Sequence, residues 1–181
     1  MDTFFANAIS CGVIFLFGCV GEILTERSGH LNLGIPGIMC VGAAGGCLGV
    51  KLAAMPTDGA NGFLVVLSGI LFAMLFAGIL GAVYAFLTVS LRCNQTVTGL
   101  AVTIFGVGFT SFFINNVVMT EGVSTALSFA GQNFFNAHIP GIEALGWFGT
   151  VFLSHGALVY LAIAIAVAAA VVLRYTKAGL N

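Results

Sequence analysis

Chemistry needs polar groups that converge, and this sequence has few to offer. It holds six acids, five bases and three histidines in 181 residues. His30, His138 and His155 stand outside the long apolar runs, far from one another and without an evident catalytic partner. There is no G-x-x-x-x-G-K-[ST] nucleotide loop, since neither Lys51 nor Lys177 follows a glycine, and no H-E-x-x-H or G-x-S-x-G. Cys11, Cys19, Cys40, Cys47 and Cys93 are scattered, with no C-x-x-C pair, and are expected to be buried thiols acting as small hydrophobes. The expectation is therefore no catalytic residue, no metal and no cofactor. What remains is a short polar stretch, "SGHLNLGIPG" (28–37), with Glu22, Glu26 and Arg27 just upstream, and an asparagine pair, Asn115 and Asn116.

The surroundings of these residues define their solvent. The chain is 60% hydrophobic and 6% charged, against about a quarter charged in a soluble domain. Such a composition implies an all-α integral membrane protein; a β-barrel would instead alternate polar and apolar residues in short strands. A net charge of −1 leaves no field to attract nucleic acid. The N-terminal MDTFF has no basic residue and no A-x-A-like site follows it, so the first apolar run is expected to remain as an anchor.

About 20 apolar residues cross a bilayer. That ruler gives about five transmembrane helices, at 4–24, 35–55, 62–91, 97–119 and 156–173. Arg27, Arg92, Arg174 and Lys177 follow spans one, three and five, whereas Asp2, Asp58, Glu121 and Glu143 lie on the other side with Lys51. Basic residues in short loops mark the cytoplasm, which places the N-terminus outside and the C-terminus inside. The outer segment 120–155 is either a compact external loop or holds a short interfacial or re-entrant helix near 142–153.

Polar residues are costly at membrane depth, so each needs a reason. Glu22 either reaches the interface or pairs with a nearby arginine. Asn94 or Thr96 can cap the fourth span, and on the cytoplasmic side the Asn94-Gln95-Thr96 glycosylation pattern is coincidental. Asn115 and Asn116 either cap the outer end of that span or face a vestibule and bond a polar solute. Asn32 can cap the helix that starts near Ile35, with Pro36 in its first turn. Yet irregular backbone at this depth is tolerated only if buried in protein or lining a watery cavity, and broken helices often flank transport pathways. Asn32 and Gly34 are thus pathway candidates together with Asn115 and Asn116. Gly69, Ala73, Ala77, Gly81 and Ala85 recur every four residues, so they drift slowly around one helix face, and should let another helix approach. Gly42, Gly45, Gly46 and Gly49 also suit close packing, or a cavity-lining helix.

"GEILTERSGHLNLGIPGIMCVGAAGG" (21–46) resembles the N-terminal signature of ABC-transporter permeases of the branched-chain amino acid/sugar/nucleoside importer superfamily. It is most similar to the nucleoside (simple sugar) permease group, G-E-x-x-x-E-R-x-G-x-x-N-x-G-x-x-G. Three further stretches agree in order. "RCNQTVTGLAVTIFGVGFTSFF" (92–113) resembles an N-Q-x-x-x-G segment. "IPGIEALGWFG" (139–149) resembles an outer I-P-x-L-x-x-x-P-x-L-G segment without its second proline. "RYTKAGLN" (174–181) resembles the start of a cytoplasmic coupling loop, T-x-x-G-L-x-x-R-A-x-G. Many relatives carry Glu where Pro36 stands, so no acidic role is assigned there.

The resemblance implies a single, incomplete permease domain over 1–181, an N-terminal fragment of a protein of about eight to ten spans in the bacterial plasma (inner) membrane. It implies a second permease subunit, cytoplasmic ABC ATPase subunits, an extracellular or periplasmic solute-binding (lipo)protein, and alternating access that moves a small polar solute inward. Thr176, Lys177, Gly179 and Leu180 would begin the ATPase-coupling contact. The best single solute is a nucleoside, then a sugar or branched-chain amino acid. The alternative is a secondary transporter or channel without an ATPase, which would require an ionisable relay at mid-span; every Asp, Glu, Lys and Arg here lies near a span end or in a loop. An intramembrane enzyme would need converging catalytic groups.

Overall fold

A computed structural model describes residues 2–27, 29–54, 62–118, 155 and 157–175. Every regular element among them is helical: α1 Asp2–Arg27, α2 Ile35–Ala54, α3 Gly62–Ala85, α4 Gln95–Phe113 and α5 Ala157–Tyr175, with π-helical turns Phe86–Ser90 and Ile114–Val118 extending α3 and α4. Ile35–Ala53, Gly62–Ser90 and Gln95–Val118 are long and apolar enough to cross a membrane, and Val159–Tyr175 is a shorter apolar helix. The protein is an all-α membrane protein, as its composition implies. The segments 120–154 and 176–181 lie outside the described residues, and with them the expected re-entrant helix and coupling contact.

The chain forms two compact units, Met1–Gly29 with Phe135–Asn181, and His30–Phe134. In the first, α1 packs along α5. The helix α1 contains the first expected span and runs on to Arg27, so Glu22 and Glu26 belong to helix rather than loop. Thr25 Oγ1 donates back to the carbonyls of Gly21 (3.2 Å) and Glu22 (2.8 Å), which keeps this hydroxyl bonded inside the helix. Arg27 occupies the last turn, where a cation offsets the negative end of the helix dipole.

In the second unit α2 is the central helix, flanked by α3 and α4. Gly34 meets Gly99, and Gly37 meets Gly106, so α2 and α4 rise together. Gly49 meets Ser68 while Gly42 meets Ala77, so α3 runs the other way. Glycines set these separations. A Cβ on Gly37 would stand 2.5 Å from the Val102 carbonyl oxygen, and one on Gly45 would stand 2.6 Å from Phe76 Cβ and Cγ. In lipid no hydrophobic drive brings helices together, so this close backbone approach supplies the contact energy.

Two expectations need correction. Gly69, Ala73 and Ala77 do face α2, but a Cβ on Gly81 would meet nothing within 4 Å, and Ala85 is exposed. Residues four apart turn about 40° beyond a full circle each time, so the stripe leaves the interface after three members. The cysteines are free, but Cys11, Cys19 and Cys93 are exposed and Cys40 and Cys47 only half-buried. A helix pair or trio in lipid has little protein interior to hide them in.

Candidate solute pathway

The polar stretch that opens α2 is held by side chains of α3 and α4. Its backbone, His30 to Gly34, has no regular secondary structure and relies on groups far along the chain. Leu31 N donates to Gln95 Oε1 at 2.9 Å, and Tyr84 Oη donates to Leu31 O at 2.8 Å. Thr103 Oγ1 donates to Leu33 O at 2.7 Å. Within the stretch, Gly34 N donates to Asn32 Oδ1 at 2.9 Å, and Ile38 N donates to Gly34 O at 3.0 Å as the helix begins. Backbone groups removed from water must be bonded or cost a few kcal/mol each. Here side chains of α3 and α4 do that work, so the irregular backbone is tied to both helices although Leu31 and Leu33 stay exposed.

Asn32 and Gly34 are both buried. Asn32 closes a turn on Gly34 N, one residue before the first helical position of α2. Gly34 is closely surrounded: a Cβ would stand 2.9 Å from Asn32 Oδ1 and 3.2 Å from Val102 Cγ1. On α4 a Cβ at Gly99 would stand 2.9 Å from Leu33 N and Gly34 N. Asn94 is the N-cap of α4, its Oδ1 accepting from Thr96 N (3.0 Å) and Val97 N (3.2 Å).

Asn115 and Asn116 lie in the π-helical turn at the far end of α4 and are exposed. Asn116 Nδ2 donates to Phe112 O at 2.8 Å, so one of its amide protons folds back on its own helix. The structure does not bring the two asparagine sets together. From Gly99, beside Gly34, to Asn115 the helix climbs sixteen residues, about 24 Å at 1.5 Å per residue.

Sequence reasoning missed the clamping residues and one cation. Tyr84 is buried in the core with Val41, Leu80 and Val102; a lone phenol in an apolar span is the signal, because a buried Tyr needs a partner. Lys51 is buried in the last turn of α2, and its Nζ donates to Val117 O at 2.5 Å. Since α2 and α4 are parallel, two helix C-termini meet there, and the ammonium sits where both dipoles are negative. Thr110 Oγ1 is buried without a hydrogen-bond partner.

The family model for the branched-chain amino acid transport system permease component matches residues 4–181. Among relatives, the chain is 39% identical over 105 residues to the putative glucose ABC transporter permease protein TsgC13 of Haloferax volcanii, covering 58% of this chain and 29% of that protein. It is 28% identical over 138 residues to the guanosine ABC transporter permease protein NupQ of Bacillus subtilis, covering 75% and 40%. To the nucleoside ABC transporter permease protein NupC of Lactococcus lactis it is 27% identical over 177 residues, covering 97% and 53%. The chain thus spans about half the length, or less, of these relatives. No solved structure matches it. With a match that runs through α1 to α5, the chain belongs to the family of branched-chain amino acid transport system permease components.

Proposed function

We propose that this chain is part of the membrane-spanning subunit of an ATP-binding-cassette importer in the plasma membrane, and that its solute is a nucleoside. The observation that carries the reading is the continuous family match over residues 4–181. Two of the relatives named above are guanosine or nucleoside permeases, which supports a nucleoside ahead of a sugar; the glucose permease keeps a sugar second. ATP hydrolysis falls to separate cytoplasmic subunits, a second permease completes the pathway, and a solute-binding protein delivers cargo from outside.

In this reading the N-terminus is outside and 176–181 is cytoplasmic, with Thr176, Lys177, Gly179 and Leu180 starting the contact to the ATPase. The exposed Asn115 and Asn116 meet the solute at the outer end. Asn32 and Gly34 shape the inner end, and their clamp makes α2, α3 and α4 move as one body during alternating access. The test is competition for uptake in cells carrying the full-length system: unlabelled guanosine should block radiolabelled inosine entry while glucose and leucine do not. Entry blocked by glucose or leucine, and untouched by guanosine, would remove the nucleoside assignment.

A further inference from the structure

Between α3 and α4, floored by Val41 of α2, lies a cavity of about 700 Å³. Leu80 and Leu87 line one wall, Ala101 and Phe105 the other, and Thr98 brings the one polar side chain among the residues lining it. A nucleoside or sugar would leave most of its hydrogen-bonding groups unpaired here, so the space does not suit the proposed solute.

Its length and its ends identify what it does suit. On α4 the lining runs from Val97 to Phe109, which is about 18 Å of helix. One leaflet of the hydrocarbon core is about 15 Å deep, half of the whole. At the Phe109 end, Phe76 of α3, which lines the cavity, packs against Phe113 of α4, ring centroids 5.7 Å apart. Another spanning helix would need a groove through both leaflets; an acyl chain needs one. The connection at the opposite end carries charge. Arg92 lies midway in sequence between Leu87 and Val97, in the connection that joins the two walls, exposed and held at φ 52. A guanidinium there meets a phosphate oxygen at headgroup depth.

We propose that the α3–α4 groove seats an acyl chain of an anionic phospholipid whose phosphate is bound by Arg92. The site is independent of which solute the permease carries, and its test does not read transport.

The test uses the full-length permease in vesicles, with Trp147 and any other native tryptophan replaced by Phe, and Phe105→Trp placing a fluorescent probe in the groove. Mid-chain brominated lipids quench a nearby indole. Brominated phosphatidylglycerol should quench the groove probe with a preference of about fivefold over brominated phosphatidylcholine, the size expected of one arginine at a membrane surface. Adding Arg92→Gln should remove that preference. Ile104→Trp, at a position 75% exposed and outside the groove lining, should be quenched equally by both lipids. If Phe105→Trp fails to fold, Val83→Trp on the opposite wall gives the same readout. Equal quenching of the groove probe by both lipids overturns the proposal. So does no quenching in the groove while the Ile104→Trp control is quenched, since a protein segment would then cover it.

Discussion

Tyr84 shows how a single hydroxyl holds an irregular backbone inside a membrane protein. Its Oη bonds Leu31 O at 2.8 Å, and the ring is buried. Tyr84→Phe keeps the ring and removes that carbonyl's donor; Leu31 is exposed, so the cost is that of an ordinary hydrogen bond, about 0.5–1.5 kcal/mol. The expected outcome is a lower midpoint in thermal unfolding of the full-length protein in detergent. Thr88→Ala is the comparison, since its hydroxyl bonds only Tyr84 O one turn back within the same helix and its loss should cost less. An unchanged midpoint for Tyr84→Phe would show that the clamp does not hold the stretch.

At the scale of elements, the glycines of α2 and α4 set how near the helices lie. A Cβ on Gly106 would stand 2.5 Å from Gly37 O, whereas one on Gly81 would find open space. Gly106→Ala should therefore force α4 away from α2, an overpacking cost of about 1–3 kcal/mol or more. Gly81→Ala should be neutral or slightly stabilising, because alanine is the better helix former. Paired unfolding curves decide this, and equal effects at both positions would contradict the packing described. The spans of α2, α3 and α4 are legible in the sequence: apolar runs of about 20 residues need no tertiary information, and the run expected at 35–55 is the helix Ile35–Ala54. The clamp was not, because Tyr84, Gln95 and Thr103 lie 53, 64 and 70 residues from the backbone groups they bond. Asn32 is expected as a cap of the helix near Ile35, and its side chain accepts from Gly34 N, a residue before that helix begins. The π-helical turns and the Lys51–Val117 bond left no local mark in the sequence either.

For the whole molecule, family membership rests on residues 4–181, and transport is proposed for the assembled system of which this chain is part. The energy source separates the proposed importer from a carrier or channel that works alone. The described spans place Lys51 near one end of α2 and Arg92 beyond α3, a distribution that suits a permease driven by a partner better than one with its own mid-span ion relay. The direct measurement is accumulation of radiolabelled inosine by proteoliposomes holding the full-length permease with its ATPase subunits and binding protein. Accumulation should require ATP on the ATPase side and stop when the ATPase is inactivated by substitution. Accumulation that persists without ATP, or that follows an imposed ion gradient instead, would contradict the importer account.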